Sequence, residues 1–479
     1  MSVYIFTPLY IETLGIDSYG VTAFYATISG VLILFDLGIS SSLMRQMASI
    51  PLKGTLQGAA EFLRTIEVVY TGVIITIFLL FYSLSGLIAS EWLNSNNFSF
   101  EERKGFIQLI FISASFQLMA SFYQAGLIGQ ERQVISNLIQ FIWAFVRSVG
   151  ALFIIWWVSP TAKSFLIWQL VCNVLYLLFT RKYLIQSFVR EHLIFKISSL
   201  KGHYKFASGM MMISILAILN TQIDKIIVSK MFEVGTFALY AVASTVAQAP
   251  LVLSNPISNA ILPRFTALHA SELIEQTKNI FLRMNLVVVL ISIPACITLV
   301  VFNREILFIW GLDSQVINGV SILSERLLIG SMFLAWQIVP FNYAISMGKT
   351  GINVLFSILL LVLNTFFIFL FMNLKGVEGV PLSWMICNVV LTIPYIYVVI
   401  QNTLGHTLFI KLMGNNFLIL LISVSLLGLS SLIIGDKLNG IALLITLVVI
   451  NFIVMLSSLR LIFWKKNFKQ TILRLFNHE

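Results

Sequence analysis

The sequence predicts an all-α polytopic membrane protein with about 14 transmembrane helices. Of its 479 residues, 58% are hydrophobic and only 10% are charged. Soluble domains carry about a quarter charged residues, so this composition indicates a chain that lies in the bilayer along its whole length. Apolar runs recur from end to end. No polar stretch between them is long enough to form a soluble catalytic domain.

The apolar runs place each predicted helix. They lie near residues 1–14, 20–43, 67–89, 106–128, 134–158, 164–185, 206–231, 237–262, 282–302, 322–346, 351–373, 379–400, 415–434 and 439–463. The first is short, because its 14 residues span about 21 Å as a helix against about 30 Å of hydrocarbon. We therefore expect the natural chain to begin upstream of Met1.

The distribution of Lys and Arg predicts which loops face the cytoplasm. Net charge is +10, and 20 of the 30 Lys and Arg residues fall on one side, against 7 on the other. The positive-inside rule makes the richer side cytoplasmic and places both termini there. Basic loops favour contact with anionic membrane lipids, and nucleic-acid binding is not expected. The remaining three bases, Arg147, Lys225 and Arg326, lie within predicted helices.

An internal repeat divides the chain into two halves. Gly15 and Arg45 correspond to Gly235 and Arg264, at offsets of 220 and 219 residues. Each half contains six predicted helices, and an even number makes the repeats parallel, related by an axis along the membrane normal. The predicted domains are an N-terminal bundle (1–190), a basic cytoplasmic linker (191–205), a C-terminal bundle (206–402), and two further helices with a basic cytoplasmic tail (403–479).

Polar side chains recur at helical spacing in both halves. Spacings of three, four and seven residues put each set on one face of its helix. Such faces indicate either a shared water-filled cavity or amides that hold helices together within the bilayer. The residues predicted to line the cavity are Gln117, Gln124, Asn137, Gln140, Gln248, Asn255, Asn259 and Gln337.

Charges inside membrane helices are costly and are usually functional or paired. Arg147 lies more than two turns from either end of its segment and cannot readily reach the interface, so we interpret it as cavity-lining. Asp224 and Lys225 line the cavity or pair with a neighbouring helix. Asp36 binds an ion or caps a bend before Gly38. Arg326 lies near the outer end of its segment, where an ion pair at the interface is the alternative.

No catalytic, metal or cofactor site is predicted. Cys172, Cys296 and Cys387 stand singly within apolar runs, as packing residues do. MGKTG at 347–351 resembles the end of a phosphate-binding loop, but Tyr343 stands where that motif needs Gly. The sequence contains no HExxH or GxSxG motif. We therefore expect a protein that is not an enzyme.

Several stretches resemble one family of transporters. They are TPLYIETLGIDSYG at 7–20, FDLGISSSLMRQMA at 35–48, QIDKIIVSKMF at 222–232, ALYAVA at 238–243, PRFTAL at 263–268, SMGKTG at 346–351 and LKGVEGVPLS at 374–383. Their order and spacing resemble the polysaccharide (O-antigen) flippases of the MATE-like multidrug/oligosaccharidyl-lipid/polysaccharide exporter superfamily. Many members carry a basic residue where Glu12 stands, so a first-helix anion contact is not expected here.

The resemblance implies two six-helix bundles around a cavity that opens alternately to either side. A polyprenyl-pyrophosphate-linked oligosaccharide would cross from the cytoplasmic to the outer leaflet of the bacterial inner membrane, driven without a cofactor, by a proton or sodium gradient. A polysaccharide polymerase and chain-length machinery are the expected protein partners. Positive charge suits a pyrophosphate, so Arg147, Lys225, Arg326 and Arg45 are the predicted substrate contacts. Asp36 and Asp224 would bind the coupling ion or balance these bases.

Three other functions fit parts of the pattern. A drug or cation exporter of the same superfamily would share the fold, but its cavity is expected to be acidic. A membrane-embedded polymerase or glycosyltransferase would need a longer outer loop with clustered acids or arginines. A structural membrane protein would not need polar faces in both halves.

Overall fold

A computed structural model describes residues 2–53, 56–188, 194–196, 204–401, 403–434 and 440–462, and throughout these residues the chain is helical apart from turns. Backbone amides in hydrocarbon must bond within their own segment, and a helix achieves this. The predicted fold class is confirmed. The predicted linker is described only at residues 194–196 and from 204 onward, and the tail from 463 lies outside the described residues.

The chain forms two compact units, residues 1–241 and 242–479, with the division inside one helix. Unit 1 contains α1 (Ser2–Leu14), α2 (Ile16–Leu32), α3 (Ile39–Lys53), α4 (Leu56–Ser83), α5 (Ser85–Glu91), α6 (Phe100–Gly129), α7 (Gln133–Trp157), α8 (Ala162–Ile185), α9 (Tyr204–Met231) and the first part of α10 (Val234–Ala247). Short 3-10 turns follow α2 at Ile33–Asp36 and α8 at Gln186–Phe188. α9 packs against α2 and α3, so its contacts group it with the N-terminal helices.

Unit 2 has the same all-helical character. It contains the end of α10, then α11 (Ala249–Ala270), α12 (Ile274–Val301), α13 (Asn303–Ile309), α14 (Ser314–Trp336), α15 (Ile338–Ser346), α16 (Thr350–Lys375), α17 (Gly379–Gln401), α18 (His406–Ile434) and α19 (Gly440–Ile462). α12 packs against α11, α14 and α18, and α16 packs against α17. The predicted domain boundaries concern the sequence repeat and stay a prediction.

Each predicted segment lies largely on one or two helices of the described chain. Among the described residues, ten helical stretches are long and apolar enough to cross a bilayer, or eleven when the bent pair α10–α11 counts as one span. One of these stretches, 350–401, contains both α16 and α17. The chain is therefore a multi-pass membrane protein. α1, with 13 residues, is short, as predicted.

The structure differs from the prediction at helix ends and breaks. The segment predicted at 67–89 falls on two helices, α4 and α5, which are separated at Leu84. α4 begins earlier than predicted, at Leu56, because its polar start still buries Ala59, Ala60 and Phe62. The segments predicted at 237–262 and 322–346 are each broken, at Gln248 and at Gln337. Pro250 and Pro340 lie in the first turn after each break, where a missing N–H costs no helical hydrogen bond.

Glu67 is a buried carboxylate at the centre of an ionic cluster in unit 1. The sequence places it at a helix end, but it lies in the fourth turn of α4 and is 5% exposed. Arg64 Nη1 lies 2.8 Å from its Oε2, and Arg181 Nε lies 2.9 Å from its Oε1. The hydroxyl of Tyr123 donates to the same Oε1. The cluster ties α4, α6 and α8 together.

We expect Glu67→Ala to destabilise the protein by about 2 kcal/mol, because it removes charge-assisted hydrogen bonds and leaves the Tyr123 hydroxyl without its acceptor. This loss of stability is set at a low value because both arginines are partly exposed, and solvent weakens their attraction to the carboxylate. Thermal unfolding of the detergent-solubilised protein measures the loss. Glu101→Ala, at an exposed carboxylate, is the control. An unchanged Tm for Glu67→Ala would contradict this account of the cluster.

Gly129 permits the close approach of α3 and α6. A Cβ at this position would clash with the Met44 carbonyl oxygen and lie 2.8 Å from Met47 Cβ. We expect Gly129→Ala to destabilise unit 1 by about 1–3 kcal/mol through overpacking. Gly105→Ala in the same helix is the matched control, since its Cβ would meet no atom within 4 Å. Equal unfolding temperatures for both variants would show that α3 shifts freely.

Candidate functional site

Arg147 projects from α7 onto aromatic rings. Its Cζ lies 4.8 Å from the centroid of the Trp143 ring and 5.8 Å from that of Tyr25, which comes from α2. Trp143 precedes it by one helical turn, so both side chains lie on one face of α7. Within the described part of the chain, Arg147 makes no ion pair with a carboxylate. Cation–π contacts stabilise the guanidinium and leave its charge uncompensated.

Amide and hydroxyl groups fix these rings in place. Asn173 of α8 is fully buried, accepts a hydrogen bond from Trp143 Nε1 at 3.2 Å, and donates to the Tyr25 hydroxyl at 2.8 Å. The Asn173 amide nitrogen also lies 3.0 Å from the Ser113 carbonyl and hydroxyl oxygens. The Tyr25 hydroxyl is 3.2 Å from Gln117 Oε1. We call Tyr25, Gln117, Trp143, Arg147 and Asn173 the Arg147 cluster.

A second amide extends the cluster along α6 and α8. Tyr176 stacks on Trp143 with ring centroids 4.5 Å apart and an interplanar angle of 17°. Its hydroxyl donates to Gln124 Oε1. Gln117 and Gln124, both predicted to line the cavity, are therefore half-buried acceptors for tyrosine hydroxyls. The described helices α2, α6, α7 and α8 together form one polar and aromatic surface around the guanidinium.

The other predicted lining residues lie apart from this surface or are paired. Asn137 and Gln140 are exposed on α7, ten and seven residues before Arg147 respectively. In unit 2, Gln248 and Asn255 are exposed, and Gln337 Nε2 donates to Thr392 Oγ1 at 2.7 Å. The side chain of Asn259 lies outside the described residues. A lining role for these six positions stays a prediction.

The other predicted bases have different surroundings. Lys225 is half-buried on α9, and its Nζ bonds the Thr221 carbonyl of its own helix at 2.9 Å. Arg45 is exposed on α3. Arg326 is paired, since its Nη2 lies 3.1 Å from Glu378 Oε2 and its Nη1 lies 2.6 Å from the Glu378 carbonyl oxygen. Its carboxylate partner is thus Glu378, 52 residues away in sequence, and its substrate role stays a prediction.

Asp36 stands at a break in a predicted membrane helix. Leu37 and Gly38 have positive φ angles of 51° and 73°, which end α2 and its 3-10 turn before α3 begins. The Asp36 carboxylate accepts the backbone N–H of Ser40 at 3.2 Å, as a helix cap does, and also the Ser40 and Tyr70 hydroxyls. Gly38 accommodates the left-handed turn without a Cβ clash.

Asp224 is the most buried of the predicted acids. It is 9% exposed on α9, and its Oδ2 accepts the Tyr240 hydroxyl of α10 at 2.5 Å. Its Oδ1 has no hydrogen-bond partner in the described part of the protein. Among the described residues no group of three His, Cys, Asp or Glu side chains is placed to hold a metal ion.

The loops after α1, α5 and α9 meet at one end of unit 1. Val234 N–H donates to the Asn94 carbonyl at 2.8 Å, and Asn96 Nδ2 donates to Glu233 Oε1 at 3.2 Å. Trp92 Nε1 donates to Ser229 Oγ at 2.9 Å, and Asn97 Nδ2 donates to an oxygen of Asp17. The charge distribution predicts all three loops to be on the outer side. We call these the outer contacts.

Sequence reasoning missed the aromatic members of the site. Tyr25, Trp143 and Tyr176 lie within apolar runs and raise no signal there, since aromatic rings are ordinary core residues of membrane helices. Asn173 was detectable, because it is an amide in the middle of the apolar segment 164–185. Its three-way hydrogen bonding makes it the residue that orients the cluster.

Comparisons with known proteins agree on family and fold. A family model described as polysaccharide biosynthesis protein matches residues 13–312. A Shigella flexneri protein named "Putative O-antigen transporter" is 23% identical over 382 residues, which cover 78% of this chain and 87% of that protein. The resemblance to polysaccharide flippases of the MATE-like superfamily is thus confirmed at the level of the family.

Two solved structures share the fold. The lipid II flippase MurJ in an inward closed conformation superposes with a TM-score of 0.72 at 16% identity, over 97% of this chain and 98% of that one. An inward-facing multidrug resistance MATE family transporter superposes with a TM-score of 0.71 at 13% identity, over 84% and 94%. The predicted MATE-like fold is confirmed.

Proposed function

Because this chain belongs to the polysaccharide biosynthesis protein family, we propose that it is a flippase for a polyprenyl-pyrophosphate-linked oligosaccharide. The substrate would be an O-antigen or other surface polysaccharide repeat unit, carried from the cytoplasmic to the outer leaflet by alternating access. The single observation that carries the proposal is Arg147 in the middle of α7, a guanidinium held on aromatic rings and without a carboxylate partner among the described residues. The O-antigen transporter name of the relative agrees with it.

The chemistry of the Arg147 cluster suits both parts of such a head group. A pyrophosphate loses its hydration on leaving water, and a planar guanidinium offers it paired N–H donors. A sugar ring presents C–H faces that pack on aromatic rings, and hydroxyls that bond amides and tyrosine hydroxyls. Trp143 and Gln117, both half-buried, would make these contacts, and the buried Tyr25 would hold Gln117 in place. The cluster would therefore hold the pyrophosphate and the sugar together in one orientation.

The remaining predicted residues take supporting roles in this proposal. Lys225 and Arg45 would add positive charge along the path, and Arg326 would do so if it leaves Glu378. Asp36 and Asp224, each bonded by a tyrosine hydroxyl, would exchange the coupling proton or sodium ion. No cofactor takes part and the protein is not an enzyme. We place it in the bacterial inner membrane with both termini cytoplasmic, beside a polymerase and chain-length machinery.

Complementation tests the proposal. The chain is expressed in bacterial strains that lack their own flippase and differ in their repeat unit, with membrane levels matched by immunoblotting. We expect surface polysaccharide to return in at least one strain. The empty vector is the control. If no strain recovers polysaccharide and the hosts instead gain resistance to cationic drugs, the protein is a drug exporter and the proposal is wrong.

Transport by the purified protein is the second test. Vesicles reconstituted with the chain should expose a fluorescent lipid-linked oligosaccharide to a membrane-impermeant sugar oxidant faster than vesicles without protein. We expect this acceleration only for lipid-linked sugars. Equal acceleration for an ordinary phospholipid would indicate non-selective lipid scrambling and contradict the assigned substrate.

A further inference from the structure

An apolar groove runs along α7 and α8 beside the Arg147 cluster. Its walls combine one face of each helix: Ile135, Leu138, Ile139, Ile142, Trp143 and Val146 from α7, and Cys172, Leu175, Tyr176, Phe179 and Tyr183 from α8. Both sets follow the three- and four-residue spacing of a helical face. The cavity measures about 290 Å³. This is roughly the lower limit of small-molecule sites, so it holds part of a chain and not a whole head group.

Trp143 and Tyr176 connect this groove to the charged cluster. The two rings line the groove and stack on each other, and the Arg147 guanidinium lies on the Trp143 ring. Every other wall residue except Cys172 and Tyr183 is a hydrocarbon or phenyl side chain. One continuous surface is therefore cationic at one end and apolar along the rest. The ligand complementary to it is an anion joined to a hydrocarbon chain.

The groove has the length of one leaflet. From Ile135 to Val146 it follows 11 residues of α7, or about 16 Å, against about 15 Å for half the hydrocarbon core. It occupies the first half of α7 and the second half of α8. The charge distribution predicts these ends to be cytoplasmic. Arg147 then lies near the middle of the membrane, with the groove extending back toward the cytoplasmic surface.

We infer that the α7–α8 groove binds the polyprenyl chain of the substrate while Arg147 binds its pyrophosphate. This inference rests on the proposed function and adds a location for the lipid. The head group would lead through the membrane, and the chain would trail in the cytoplasmic half, held against Ile142 and Leu175. Binding both ends on one surface selects a polyprenyl diphosphate over a free sugar phosphate and over a neutral lipid.

Site-directed photo-crosslinking tests the groove. A benzoylphenylalanine replaces Ile142 or Leu175 in the wall, or Phe141 or Leu178 as matched controls. The controls lie on the same helices and are 68% and 56% exposed, against 51% and 43% for the wall residues, but they are outside the groove. Each full-length variant is reconstituted in phosphatidylcholine vesicles with a radiolabelled long-chain polyprenyl diphosphate. We expect several-fold stronger labelling at the two wall positions.

Competition identifies the occupant. Unlabelled polyprenyl diphosphate should suppress labelling at positions 142 and 175, whereas equal amounts of phosphatidylglycerol or inorganic pyrophosphate should not. Arg147→Ala should reduce labelling at these positions, and Arg147→Lys should retain most of it. Equal labelling at wall and control positions would overturn the inference. So would equal suppression by phosphatidylglycerol, since an ordinary membrane lipid would then fill the groove.

Blocking the groove separates this inference from the proposed function. Leu175→Trp should fill the cavity and reduce polysaccharide export, with the amount of protein in the membrane unchanged. Leu178→Trp, outside the groove, should leave export unchanged. If the unchanged chain restores export and Leu175→Trp restores it equally, the flippase proposal stands and the groove inference is wrong. If the unchanged chain flips no lipid-linked sugar, the proposed function is wrong whatever the crosslinking result.

Discussion

Replacing Arg147 with alanine is expected to reduce polysaccharide export at least about tenfold, because a charge-assisted hydrogen bond to a buried group contributes about 1.5–3 kcal/mol and 1.4 kcal/mol is a factor of ten. The loss arises at the stage when the pyrophosphate is away from water, so no solvent replaces the missing donor. Export in the complemented strains, quantified against membrane protein level, measures the effect.

A conservative substitution at Arg147, with a control substitution at a distant lysine, separates the effect of charge from that of side-chain geometry. Arg147→Lys keeps the charge but loses the planar fork that rests on Trp143 and Tyr25, so we expect an intermediate export level. Lys163→Ala, at an exposed base in the first turn of α8, is the control and should export normally. If Arg147→Ala exports as well as the unchanged chain, Arg147 has a structural role only.

Joining the outer contacts covalently is expected to stop transport almost completely. Asn96 and Glu233 are in contact through their side chains. In the proposed alternating-access cycle, the segment after α9 would move away from the segment after α5 to let the substrate leave. Asn96→Cys and Glu233→Cys are introduced together after Cys172, Cys296 and Cys387, all buried, are replaced by alanine. A thiol-cleavable crosslinker should block vesicle transport, and a reductant should restore it.

The control for this experiment is a pair that joins neighbouring helices of unit 2. Arg304 of α13 places its Nη2 2.9 Å from Oδ1 of Asn318 in α14. Crosslinking cysteines at these positions should leave transport unchanged, as should either single cysteine at 96 or 233. Full transport by the crosslinked 96–233 protein would show that the outer contacts stay closed throughout the cycle.

The helices could be predicted from hydropathy because the bilayer leaves the backbone few choices. A run of apolar residues in hydrocarbon must be helical, so each of the fourteen predicted segments lies largely on one or two helices of the described chain. Breaks within them were harder to place. Gly38 and Pro340 were visible signals, but a proline in the first turn of a new helix and a proline within a kinked one look alike in sequence.

The site could be predicted only in part, because the side chains that contact each predicted residue are distant from it in sequence. Arg147 and Gln117 were identified because charge and amides are rare in membrane helices. Trp143 and Tyr25 were missed because their rings count as apolar whether they face lipid or a cation. Arg326 was identified as a cavity base, yet its ion pair with Glu378 depends on the approach of α14 to the turn after α16.

The sequence by itself determined the membrane class, the helical segments, the family resemblance and the position of Arg147 as a base within a membrane helix. These follow from composition and local pattern, which act within one or two helical turns. Tertiary structure alone decided that Asn173 joins Trp143 to Tyr25, that Glu67 joins α4 to α8, and that α7 and α8 enclose a groove. Each depends on side chains distant in sequence, whose contacts are set by how helices pack and not by the residues along any one of them.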